Sequence, residues 1–138
     1  MRITAIVLVL ALTTCAAVAN PIASNFFVDL DYPNHVNEIA PAAYSSYEAY
    51  FLLHRDNIAP YDVEGVTTIS FRVELTPGMS LMTSFTNLLP GDLAIGAWDT
   101  GISLASTECL TDWLIPVGKL DLMASGLGGT IALLPHPE

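Results

Sequence analysis

The sequence predicts an all-β protein: a single small β-sandwich of about eight short antiparallel strands, behind an N-terminal signal helix. Three observations carry that expectation. Thr67–Leu75 alternates strictly, with Ile69, Phe71, Val73 and Leu75 on one side and Ser70, Arg72 and Glu74 on the other. That is the period of a strand with one buried face. Short apolar segments recur roughly every ten residues, with Gly and Pro between them. Beyond residue 19 no stretch of good length repeats with a helical period.

Taken in order, the chain opens with the parts of a secretory signal peptide. Arg2 supplies the positive start, Ile3–Leu12 an apolar run broken only by Thr4, and Ala17-Val18-Ala19 a small-residue cleavage pattern. The apolar run is shorter than the roughly 20 residues that span a bilayer. Cleavage is expected after Ala19, giving a signal peptide of 1–19 and one β-sandwich domain of 20–138, secreted, periplasmic or on the cell surface. A second route is lipidation at Cys15, although Thr14 stands where a lipobox has a smaller residue.

The strands follow. Phe26–Asp31 puts Phe26, Val28 and Leu30 on one face and Asp29 and Asp31 on the other. Tyr47–Leu53 reads as a strand or a helix, and its aromatic content favours the strand. After Thr67–Leu75 and its Thr76-Pro77-Gly78 turn come Thr83–Asn87, Asp92–Trp98, Ile102–Ser106, Ile115–Met123 and Thr130–Leu134. Pro90-Gly91 and the run Ser125–Gly129 are turn punctuation.

Composition bounds the function. The chain is 52% hydrophobic and 13% charged, which argues against disorder. It carries 14 acidic and 4 basic residues, a net charge of −10, and loss of Arg2 with the signal deepens the imbalance. Such a surface repels phosphate backbones and anionic membranes, so nucleic acid is excluded as a partner. Removal of Cys15 would leave Cys109 as an odd cysteine in an oxidising compartment. The ending at Leu134–Glu138, directly after an apolar stretch, suggests a chain that continues, with the partner of Cys109 further on.

No catalytic set assembles. His54-Arg55-Asp56 matches the start of a kinase catalytic loop, but the Gly-rich loop, strand lysine and Asp-Phe-Gly are missing. Cys109 with His35, His54 or His136 offers a thiol and a base, without a local signature; a buried or disulfide-directed cysteine explains it as well. Asp29-Leu30-Asp31 starts like a calcium loop, but Pro33 takes a ligand position. Asp62 with Glu64 and Asp92 with Asp99 are candidate Ca²⁺ pairs, the alternative being solvated acids; no other cofactor is expected. Among the aromatics, Trp98 and Trp113 could offer flat faces to a sugar, with Asp99 beside Trp98 in a turn.

Three stretches carry a resemblance: Thr68–Met79, Leu88–Gly101 and Val117–Leu120. Together they resemble a group of uncharacterised exported bacterial proteins that share the signal peptide and these turns. More distantly, the order of elements is similar to cohesin-like and carbohydrate-binding modules, with an Ile-Ser-Phe-Arg-Val strand followed by a Pro-Gly turn. The resemblance implies a sandwich that binds a polysaccharide or a surface protein, and it brings no site residues. The expectation is therefore an exported, non-catalytic binding or adhesion module at the bacterial cell surface. The alternatives are a secreted hydrolase using two carboxylates and a structural envelope component, the latter marked by an exposed apolar sheet face or open edge strand.

Overall fold

The computed structural model describes residues 24–55 and 65–137. The expected signal peptide, with Cys15, lies outside them, as do Asp56, Asp62 and Glu64. The described chain forms β1 (Ser24–Asp29), β2 (Ser46–Arg55), β3 (Val66–Leu75), β4 (Ser80–Asn87), β5 (Leu93–Ala97), β6 (Gly101–Leu110), β7 (Leu114–Ala124) and β8 (Ile131–Pro135). These pair into two antiparallel sheets, sheet A in the order β1-β2-β7-β4 and sheet B in the order β5-β6-β3-β8. The all-β sandwich is what the chain builds. Each predicted segment contains or overlaps one of these strands, and the ambiguous Tyr47–Leu53 is the heart of β2.

The alternation read in Thr67–Leu75 sets the core. Phe71 and Val73 of β3 are buried, and Ile69 and Leu75 pack beside them. They meet Phe51 and Leu53 of β2, Val117 and Leu120 of β7, and Ile102 and Leu104 of β6. Phe71 sits at the centre of the aromatic packing, with ring centroids 5.0 Å from Phe26, edge-on, and 5.7 Å from Phe51. Burying each such ring removes a large apolar surface from water, and cutting one back to alanine costs about 3–5 kcal/mol.

Local departures from regular strand geometry shape the sheets. In β7, Pro116 lies in a central strand, where a missing N–H would break the ladder. The register there shifts: Phe51 faces Gly118 while the next residue, Leu52, faces Pro116. The bulge absorbs the proline. Gly118 completes it, since a Cβ there would run into the Phe85 ring. In β4 the register also shifts, between Ser80 and Met82, and Ser80 Oγ bonds the Met82 and Met123 carbonyls at 2.6 and 3.1 Å.

Beyond β1 the chain folds back over its own acid. Asp29 is fully buried. Its carboxylate accepts hydrogen bonds from the backbone N–H groups of Asp31 (3.0 Å), His35 (3.1 Å) and Val36 (3.0 Å). His35 Nδ1 stands 3.4 Å away. Asp29 therefore clamps the 30–36 loop. The expected polar outer face of this strand is a loop anchor at Asp29, while Phe26, Val28 and Leu30 pack on the core as predicted.

Candidate functional site

The residues singled out from sequence do not gather in one place. Trp98 is half-buried and packs against the core, and its carbonyl accepts the Val73 N–H at 2.7 Å. It is a corner post between β5 and β6, where an exposed platform was expected. Asp99 is exposed in the same turn. Trp113 precedes β7, is 61% exposed, and meets His54 edge-on at 5.2 Å. Trp98 and Trp113 thus lie beyond opposite ends of β6, whose ten residues span about 33 Å. Asp92 and Asp99 likewise sit at opposite ends of β5, about 17 Å of strand apart. That separation cannot hold one ion between them. No cluster of three or more His, Cys, Asp or Glu side chains suited to a metal occurs among the described residues. Cys109 is disulfide-bonded, so its sulfur is no thiolate nucleophile.

A cleft opens on the side of the sandwich where β1 and β8 run past each other. Its volume is about 890 Å³, and its walls include Phe26, Val28, Tyr47, Met79, Ile131 and Leu133. The 37–41 loop and the Gly126–Thr130 turn form its lips. Glu38 is the one carboxylate in this lining. Burial pushes the Tyr47 phenol up from its ordinary value. Two-carboxylate hydrolysis needs a second acid across the gap, and among the described residues Glu38 is the one acid in the lining.

The two outer faces differ in chemistry. On sheet A, Lys119 bonds Glu48 and, at 3.0 Å, Asp121. Tyr50 donates its hydroxyl to Glu48 at 2.8 Å, and the Tyr32 ring lies 5.1 Å from the Tyr50 ring. The hydrogen bonds from Lys119 and Tyr50 hold the Glu48 carboxyl below its ordinary range, and the Lys119 ammonium is pushed up by the same contacts. These charges satisfy one another.

Sheet B is different around β5. Directly opposed residues of a ladder share a face. Ala94 and Gly96 oppose the buried Leu104 and Ile102, so they point inward. Leu93 and Ile95 oppose Ala105 and Ser103 and point outward. Across β6, Ser103 and Ala105 oppose Ser70 and Thr68, and the Ser70 and Ser103 hydroxyls bond at 2.8 Å. Ile95 is 79% exposed and Leu93 51%. Two large apolar side chains thus stand side by side on a face whose neighbouring positions are small and uncharged. All five residues of β5 are exposed, inward-pointing ones included.

The sequence gives one overlooked signal for this surface. Leu93-Ala94-Ile95-Gly96-Ala97 alternates large and small where a core strand would alternate apolar and polar. The small set cannot fill a core, so the large set has no reason to turn inward. Leu81 and Met82 of β4 are exposed too, at the Ser80/Met82 register shift on the edge of sheet A. Comparison of the chain with protein-family models, curated proteins and solved structures returned no match.

Proposed function

We propose that this protein is an exported, non-catalytic binding module that docks a protein partner on the outer side of sheet B, around β5. The observation that carries the reading is the pair Leu93 and Ile95, exposed together on an edge strand beside the small uncharged side chains of Ser103, Ala105, Thr68 and Ser70. Exposed apolar side chains on an open sheet edge are a liability unless something covers them. A cohesin-like module that binds a surface protein through a sheet face is in keeping with this reading, and so is an envelope component held in place by its neighbours. Among the described residues no helix is long and apolar enough to cross a membrane, so such a role would rest on contacts of this kind or on the N-terminal segment.

The test is retention of envelope proteins by the immobilised chain, native against the double variant Leu93→Lys/Ile95→Lys. The reading expects a defined polypeptide retained by the native chain and lost with the variant. Equal retention by both would overturn it. A second reading, glycan contact, is favoured by the single exposed indole of Trp113. It expects binding to a polysaccharide panel that Trp113→Ala removes, and flat isotherms throughout would discard it.

A further inference from the structure

We infer that the partner joins β5 as an added antiparallel or parallel strand, and that this strand is apolar at its centre and basic at both ends. The inference rests on the docking reading above and adds the mode of contact and the charge of the partner. Its first ground is the state of β5. The strand has a ladder neighbour on one side only, β6. It is exposed on both faces, and among the described residues its support comes from the β6 ladder, its two turns and the Asn87 side chain. An incoming strand would turn this least-supported element of the sheet into an interior one.

The second ground is backbone direction. In an antiparallel ladder, residues alternate between those bonded to the neighbour and those whose N–H and C=O point away. The Leu93 carbonyl accepts a hydrogen bond from Asn87 Nδ2 at 3.4 Å, a side chain from outside sheet B. That contact uses the carbonyl's second lone pair: Ala97 pairs with Gly101 across the three-residue turn and the Thr107 N–H bonds the Pro90 carbonyl, so Leu93 and Ile95 turn their backbone groups to β6, and Ala94 and Gly96 form the outward set. The face thus carries the apolar side chains of Leu93 and Ile95, and the edge carries the backbone groups of Ala94 and Gly96. A strand laid there meets both at once, as in recognition by strand addition.

The third ground is charge. Asp92 and Asp99 bracket β5, and both are exposed. A second copy of this chain would place an aspartate near an aspartate at each end, whether the two β5 strands ran parallel or antiparallel. On a chain of net charge −10 that contact is repelled. A partner strand with Lys or Arg at its ends meets carboxylates at both.

The experiment uses three synthetic nine-residue peptides of alternating Val and Thr. One is flanked by two lysines at each end, one by two glutamates, and one is the lysine form N-methylated at alternate residues on its pairing edge. Each is titrated into the purified chain, with amide exchange followed at Ala94 and Gly96. The lysine peptide is expected to bind, to slow exchange at Ala94 and Gly96, and to bind about tenfold or more tightly than the glutamate peptide. Its affinity should fall several-fold with added salt and with Asp92→Asn/Asp99→Asn. Asn tolerates the backbone of position 92, where φ is 48°, so this variant keeps the turn. Equal binding of the N-methylated peptide, blocked by Ile95→Lys, would overturn strand addition and leave the docking reading standing. Equal binding of the lysine and glutamate peptides would overturn the charge assignment alone. No binding of any peptide, together with envelope retention that ignores Leu93→Lys/Ile95→Lys, would remove the inference and the docking reading together.

Discussion

Asp29 anchors the 30–36 loop from a fully buried position. Three backbone N–H groups depend on its carboxylate, and removing it leaves them facing a hole. Asp29→Ala should cost about 3 kcal/mol, read as a lower urea midpoint with an unchanged slope. Asp29→Asn keeps an acceptor oxygen and should cost less. The sequence showed Asp29 as one of two acids on a strand's polar side. It could not show the clamp, because the donors are backbone groups two, six and seven residues on, and backbone groups leave no mark on residue type. At Glu48 the prediction is one of titration. Hydrogen bonds from Lys119 first, then Tyr50, hold its carboxyl below the ordinary value of 4.5. A lowered folded-state value stabilises the fold above that ordinary value, and the gain fades as pH falls through the lowered one. Lys119→Met should therefore raise the Glu48 titration midpoint in an NMR titration. The stability gap between variant and native chain should narrow on acidification, and a gap that widened would contradict the assignment. Glu48 is exposed and Lys119 half-buried beside it, so solvent screening keeps the effect small.

At the scale of the element, β5 and the core strands should respond differently to damage. Gly96 has φ of 92°, and a Cβ there would overlap the Gly101 carbonyl oxygen across the hairpin. Gly96→Ala should loosen β5 and its turn. Because β5 buries almost nothing, the global midpoint should move by less than about 1 kcal/mol while amide exchange at Ala94–Ala97 quickens. Phe51→Ala, by contrast, opens the centre of the core and should cost about 3–5 kcal/mol. If Gly96→Ala lowered global stability as much as Phe51→Ala, β5 would be part of the cooperative core. The strands themselves were legible from the sequence because period-two patterning and turn residues both pointed to them. Their ends were less so. β6 runs on to Leu110, past the expected Ser106, because Val66 pairs with Leu110 after a register shift that Thr107-Glu108-Cys109 does not advertise. β4 starts at Ser80 for a similar reason, a shift anchored by a serine hydroxyl.

For the whole molecule, the two outer faces divide the work. Sheet A closes its charges on themselves through Lys119, Glu48 and Asp121. Sheet B leaves Leu93 and Ile95 uncovered between two aspartates. The sequence announced the sandwich and named two indoles for its surface. Trp113 is exposed, while Trp98 is half-buried and packs against the core beside its turn. The exposed side chains of β5 were hidden among ordinary strand residues, since burial depends on what faces a strand from the other sheet. The most direct measurement of the docking account places a photo-crosslinking side chain at Ile95, and in a second sample at Met82, which is exposed to a similar degree. Both are irradiated in the native envelope fraction. The account predicts a discrete protein adduct at Ile95 and none at Met82. The same products from both positions, or none from Ile95, would contradict it.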